Sequence, residues 1–105
     1  MKTSRKKMER LLIRLGLPRR NKGFAYLLTM AEFHEMSNPW DFMIIEDIAV
    51  RHETQFHLVW QSLVRTRERL LTREPGKSLL AEGSEMGMIP FFNELIRLAE
   101  RDPAA

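Results

Sequence analysis

The chain has 105 residues, 44% of them hydrophobic, a formal net charge of +3 and no cysteine. This length and composition predict one domain that folds around a single core. The lack of cysteine excludes a disulfide scaffold and a cysteine-ligated zinc finger, and it fits a reducing compartment, so a cytoplasmic protein is expected. Arg14 interrupts the apolar run at residues 11–13. Neither a signal peptide nor a membrane span is therefore predicted.

Charge is distributed unevenly along the chain. Residues 1–22 contain nine basic residues and one acid, Glu9, so this segment carries +8 and the remaining residues carry −5. Clustered lysines and arginines favour a polyanionic partner, because neutralising phosphates releases counterions. The alternative is a basic helix that only keeps the protein in solution.

The first predicted helix ends at Leu15. Thr3 or Ser4 can cap it, and Gly16 and Pro18 stop it. Apolar residues at helical spacing form one face. They are Met8, Leu11, Leu12 and Leu15.

The second predicted helix covers residues 22–36 and begins after a capping Asn21. Its apolar residues recur with a period of three to four, which predicts a helix at the centre of the core. They are Phe24, Leu27, Leu28, Ala31 and, less regularly, Phe33.

Residues 46–71 have the pattern of two helices joined by a tight turn, a helix-turn-helix. The sequence Asn-Pro-Trp-Asp at 38–41 supplies a cap, a proline at the first helical position and an acid in the first turn, so a helix is predicted over 39–51. Thr54 opens the second helix, over 54–72. The residues expected to be buried by this pair are Ile48, Ala49, Phe56, Val59, Trp60, Leu63 and Leu70.

The C-terminal third is predicted to be helical as well. Pro-Gly at 75–76 ends the long helix, residues 78–82 form one short helical turn, and 83–87 form a flexible connection. Proline then opens a last amphipathic helix over 90–101.

No segment alternates apolar and polar residues with a period of two, so the fold class is all-α, with five to six helices and a central helix-turn-helix. Residues 1–105 form a single domain, with a basic N-terminal segment over 1–10 and a core over about 11–101.

Enzymatic and metal sites are not supported by the sequence. His52 and His57 resemble a zinc-binding HExxH motif, but they are five residues apart, about 140° around a helix, and cannot share one face. His34 lies beside Glu32 and Glu35 without a nucleophile motif, which is typical of a solvated helix face. Because there is also no glycine-rich phosphate loop, no catalysis, metal or cofactor is expected.

The second helix of the pair carries polar residues suited to DNA. Glutamine and arginine can pair bidentately with adenine and guanine edges, and leucine can contact a thymine methyl. The predicted base-reading residues are Gln55, His57, Leu58, Gln61 and Arg65. The predicted phosphate-binding residues are Arg19, Arg20, Lys22, Arg51, Thr54 and Arg69. The alternative for the arginines is that they only complement the helix dipole.

Several motifs, in order along about residues 11–101, resemble those of one known family. They are Leu-Gly-Leu-Pro at 15–18, Lys-Gly-Phe-Ala-Tyr-Leu at 22–27, Asp-Ile-Ala at 47–49 with Thr54 and Val59 in register, and Pro90 followed by Asn-Glu-Leu-Ile at 93–96. With these motifs the chain resembles the C-terminal DNA-binding effector domain of the sporulation-initiation response regulators, the stage 0 master regulators of endospore-forming bacteria.

The resemblance implies a six-helix bacterial or phage transcription regulator that binds double-stranded DNA, commonly as two copies on adjacent sites. It also implies a cytoplasmic, nucleoid-associated protein. The family's phosphorylated receiver domain does not occur in this chain, so regulation by a receiver in the same chain is not expected.

The predicted recognition helix differs from the family's. Residues 57–61 read His-Leu-Val-Trp-Gln where the family has Ser-Arg-x-Glu-Arg, and Arg65 replaces a histidine. These differences motivate an alternative, a protein-interaction module that keeps the fold, has lost base reading and binds another transcription protein through Leu58 and Trp60. Membrane binding by the basic first helix is a weaker alternative, because that helix has no aromatic anchor.

Overall fold

The computed structural model describes residues 3–36, 43–80 and 87–101. Every regular element within these ranges is a helix, which confirms the predicted all-α class. The elements are α1 (Thr3–Arg14), α2 (Lys22–Met36), α3 (Met43–Arg51), α4 (Phe56–Thr72), α5 (Gly76–Leu79) and α6 (Met88–Glu100).

The first helix has the predicted apolar face. Met8, Leu11 and Leu12 are fully buried and Leu15 is nearly so. Gly16, two residues after the end of α1, has a φ of 85°. This left-handed conformation costs glycine little and lets the chain reverse at the helix C-terminus.

The second helix lies at the centre of the packing and contacts α1, α3 and α4. Its predicted bounds and cap are confirmed, because Asn21 Oδ1 accepts a 2.7 Å hydrogen bond from the Gly23 N–H. That bond satisfies one of the amide groups that a helix leaves unpaired at its N-terminus. The predicted core residues Phe24, Leu27, Leu28 and Ala31 are all buried.

The helix-turn-helix pair consists of α3, residues 52–55 and α4, which pack against each other. Its core follows the prediction, with Ile48, Ala49, Val59 and Leu63 all buried. The predicted start of the first helix, at residues 38–41, lies outside the described residues.

The start of α4 differs from the prediction, because the helix begins at Phe56 and not at Thr54. Glu53 takes a left-handed φ of 55°, and the Thr54 N–H donates to the Ala49 carbonyl at 2.9 Å. These residues therefore close the turn. Gln55 becomes the N-cap residue in an extended conformation.

The prediction that Phe56 belongs to the core is wrong, because its side chain is 42% exposed. Phe56 lies in the first turn of α4 and stacks on Trp60, with ring centroids 6.5 Å apart and planes 7° apart. Trp60 is only partly buried against the core. The aromatic pair thus lies on the surface of the helix.

The C-terminal part keeps the predicted helix at slightly different bounds. The short helix α5 is Gly76–Leu79, not 78–82. Gly76 packs closely on the end of α4, where an added Cβ would lie 2.2 Å from the Leu70 carbonyl oxygen. Residues 81–86, which include most of the predicted connection, lie outside the described residues.

The last helix, α6, begins at Met88, two residues before Pro90. Proline fits in the first helical turn, where amide groups have no partner within the helix. Phe91 and Phe92 are fully buried. The helix packs on α1 and α4, so it closes the core that α2 centres.

A hydrogen-bonded histidine joins α2 to the turn of the helix-turn-helix pair. The Thr29 hydroxyl donates to the Ala25 carbonyl, and its oxygen lies 2.7 Å from His52 Nε2, which therefore acts as the donor. The His52 ring also makes an edge contact with Tyr26 at 5.0 Å and 81°. Burial, Arg51 and Arg5 lower the pKa of His52, with Glu32 acting in the opposite direction.

This histidine makes stability depend on pH. Because the pKa of His52 is lower in the folded chain, the unfolded chain takes up a proton first, and the free energy of unfolding falls as pH drops through about 6.5. We expect His52→Gln, which keeps an N–H donor and cannot be protonated, to reduce that fall. Urea unfolding at pH 7.5, 6.5 and 5.5 measures it.

The matched control for this prediction is His57→Gln, which removes an exposed imidazole from α4. The control is expected to keep the steeper loss of stability. An equal pH dependence in His52→Gln and the unmodified chain would contradict the role given to His52.

Candidate nucleic-acid interface

The predicted base-reading residues are together on the exposed side of α4 and at its N-cap. Gln55, His57, Leu58, Gln61 and Arg65 are all exposed, and Leu58 is 44% accessible. Gln55 makes no capping hydrogen bond with its side chain. The opposite side of α4 is buried, so the fold leaves this polar side available for a partner.

A groove adjoins this side, between the start of α2 and the second half of α4. Its volume is about 370 Å³. Three cationic side chains line it: Lys22 of α2 and Arg65 and Arg69 of α4. None of the three makes an ion pair with a described residue. The structure thus brings two predicted phosphate ligands next to one predicted base reader.

The other lining residues are polar and small. They are Asn21, Ser62 and Thr66. No described acid lines the groove, and one exposed acid, Glu68, lies on α4 three residues beyond Arg65. The groove therefore has the electrostatics of an anion site.

A close contact between α2 and α4 sets the geometry of this groove. An added Cβ on Gly23 would lie 1.9 Å from Thr66 Oγ1 and 2.9 Å from Thr66 Cβ, so only glycine fits here. The Thr66 hydroxyl also lies 3.5 Å from the capping oxygen of Asn21. The N-terminus of α2 is thereby held directly against the third turn of α4.

Arg51, predicted to bind phosphate, is tied into the fold. It makes an ion pair with Glu32 at 3.2 Å, and its guanidinium lies 5.0 Å from the centre of the Phe33 ring. Arg5 of α1 pairs with the same carboxylate. Burial raises the pKa of Glu32, but the hydrogen bonds and charges of the two arginines outweigh it and leave the pKa below its ordinary value. This carboxylate connects α1, α2 and α3.

The remaining predicted phosphate ligands differ in their exposure and in whether they are already paired. Arg19 is paired with Glu9 and lies 5.9 Å from the centre of the Phe24 ring, whereas Arg20 is exposed and makes no ion pair with a described residue. Thr54 uses its amide in the turn and is only partly exposed. These residues lie outside the set that lines the groove.

Two features of the groove were not predicted from the sequence. They are the burial of Thr66 and the position of Asn21 beside it, in addition to the role of Asn21 as a helix cap. Thr66 is 3% exposed, and its spacing from Val59, Leu63 and Leu70 is that of a buried helical face. That spacing indicates a buried position, but a search for apolar residues passes over it because threonine is polar. The proximity of Asn21 to Thr66, 45 residues away, has no local signature.

Comparison with known proteins finds no matching family model, no matching curated protein and no matching solved structure. Among the described helices, none is long and apolar enough to cross a bilayer. The described residues contain no group of three or more histidines or carboxylates placed to hold a metal ion.

The contact between Gly23 and Thr66 can be tested by a double-mutant cycle. We expect Gly23→Ala to lower the free energy of unfolding by about 1–3 kcal/mol, because the added methyl group overpacks a buried threonine. In a Thr66→Ala background the nearest atom is gone, so the same change is expected to cost less. Urea unfolding of the four proteins gives the coupling.

Gly87→Ala is the control for backbone effects, because its nearest neighbour, Pro90 Cδ, lies 3.6 Å from the added Cβ. It is expected to behave the same in both backgrounds. Equal costs of Gly23→Ala in the two backgrounds would show that Thr66 does not set the spacing.

Proposed function

We propose that the domain binds double-stranded DNA in a sequence-specific manner through α4 and regulates transcription. One observation carries this proposal: exposed base-reading candidates and a cationic groove adjoin on the same side of the molecule. Side chains on a helix can read base edges in the major groove, while neighbouring cations hold the phosphates that fix its position.

Each part of the surface has a role in this proposal. Gln61 and Arg65 read base edges from the middle of α4, and Gln55 and His57 contribute from its N-terminal end. Lys22 and Arg69 hold phosphates beside them.

The sequence resemblance to sporulation-regulator effector domains supports the same function. It extends the proposal to a bacterial or phage protein at the nucleoid that binds adjacent DNA sites as a homodimer.

Selection from random DNA duplexes tests the proposal. We expect a preferred site whose affinity falls steeply with salt concentration, because binding releases counterions. Arg65→Ala is expected to cost about 1–3 kcal/mol at that site and to relax the preference at one position, whereas Arg69→Gln should weaken all sequences alike and reduce the salt slope by about one.

Arg101→Gln is the matched control, since it removes an exposed positive charge from the end of α6. It should leave site preference unchanged. A selection that returns no preferred sequence would contradict the proposal. So would an equal effect of Arg65→Ala on every duplex.

A second function is favoured by exposed apolar residues on the same pair of helices. Met43 and Val50 of α3 are 56% and 73% exposed, and Phe56 and Leu58 of α4 are 42% and 44% exposed. Exposed large apolar side chains of this kind are candidates for contacts with a protein partner. They suit a module that binds another transcription protein in place of DNA.

The two functions differ in the variant that abolishes binding. If the domain is an interaction module, a protein partner captured from a nuclease-treated bacterial lysate should be lost with Leu58→Ser and retained with Arg69→Gln. Retention of the partner by both variants would exclude this surface as its binding site.

A further inference from the structure

We propose that the groove between α2 and α4 is a specific site for a diphosphate group. This proposal concerns the chemistry of the groove alone and does not depend on base reading by α4. Diphosphates occur in nucleotides, and a DNA strand presents successive phosphates. The shared chemistry is a multiply charged phosphate.

The charge of the groove determines the sign of the ligand's charge. Lys22, Arg65 and Arg69 approach the groove from two helices, and no described acid lines it. Cations brought together in a concave site raise the local potential more than the same charges spread over a surface. Three of the chain's 17 lysines and arginines line this one groove.

Hydrogen-bonding capacity selects an oxyanion. Asn21 Oδ1 already accepts the Gly23 N–H, which leaves the Asn21 amide nitrogen as a donor. The lysine ammonium, the two guanidinium groups and the Ser62 hydroxyl can also donate. A ligand that fills this groove must therefore supply acceptors. Phosphate oxygens do so, and arginine binds them with two parallel hydrogen bonds.

Size favours two phosphates over one. The groove holds about 370 Å³, at the lower end of the roughly 300–1,000 Å³ typical of small-molecule clefts. Arg65 and Arg69 begin one turn apart, about 6 Å along the axis of α4. Lys22 approaches from α2. Cations that enter from two helices and from successive turns of α4 suit a ligand with two charged centres better than a ligand with one.

Shared use of Arg65 has a consequence for regulation. This side chain lines the groove and also lies on the exposed side of α4 that carries the base-reading candidates. A free diphosphate in the groove would engage Arg65 and displace a duplex that needs it. The groove could thus respond to a phosphorylated small molecule.

Inorganic pyrophosphate is the probe that tests this site. A titration followed by amide resonances at constant ionic strength should show saturable binding, with the largest shifts at Lys22, Gly23, Ser62 and Thr66. Arg69→Gln is expected to weaken binding roughly tenfold or more, because it removes a charge-assisted contact. Arg69→Lys keeps the charge and loses the planar fork of the guanidinium. Its affinity for pyrophosphate should fall between that of the unmodified chain and that of Arg69→Gln.

Arg101→Gln is again the control and should bind like the unmodified chain. Thermal unfolding without ligand establishes that each variant is folded. Shifts spread evenly over surface cations, or equal weakening by Arg69→Gln and Arg101→Gln, would overturn the proposal. So would sulfate binding as tightly as pyrophosphate, because the site would then have no preference for a diphosphate.

A parallel binding experiment with DNA duplexes distinguishes a free diphosphate from the phosphates of a DNA strand. If Arg69→Gln weakens pyrophosphate and duplex binding together and each displaces the other, the groove holds a DNA phosphate as well. If pyrophosphate binds and no duplex does, the diphosphate site stands and the proposed DNA function fails. If a specific duplex binds and pyrophosphate does not, the DNA function stands and this site fails.

Discussion

The packing of α2 against the helix-turn-helix pair is the constraint on which the arrangement of the surface depends. Near its start, Gly23 touches Thr66 in the third turn of α4, and six residues later Thr29 accepts a hydrogen bond from His52 in the turn. Two separate contacts therefore hold α2 against the helix-turn-helix pair, one at α4 and one at the turn. A shift of α2 would change both the groove and the turn, so the polar side of α4 is positioned by residues that do not belong to it.

The positive charges of the chain serve two purposes that composition alone does not separate. Arg5 and Arg51 neutralise Glu32, and Arg19 pairs with Glu9, so these cations connect helices or stabilise local packing. Ion pairs at the surface contribute little stability, but they reduce the charge available to a polyanion. The cations that line the groove are not compensated in this way. The +8 of residues 1–22 thus overstates what that segment can offer to phosphate.

Local signals predicted the helices well because a cap and a hydrophobic period are properties of neighbouring residues. The Asn21 cap and the bounds of α2 followed from them. The burial of Phe56 was predicted wrongly because these signals are only local. A hydrophobic period identifies the apolar face of a helix, but it does not show where along that face the packing partner ends. The groove joins Asn21 and Thr66, and the turn contact joins Thr29 and His52, pairs far apart in sequence. Only the folded chain brings them together, so the phosphate-binding candidates could be named from sequence while their grouping could not.

The left-handed corner at Glu53 places a carboxylate where many turns use glycine. Glu46 and Asp47 on the exposed side of α3 add two further negative charges, so the helix-turn-helix pair has an acidic α3 side and a cationic groove beside α4. Such a separation of charge acts as an electric dipole during diffusional encounter. A polyanion that approached this dipole would meet the Arg65–Arg69 turn of α4 first, so its orientation would be selected before any specific contact formed.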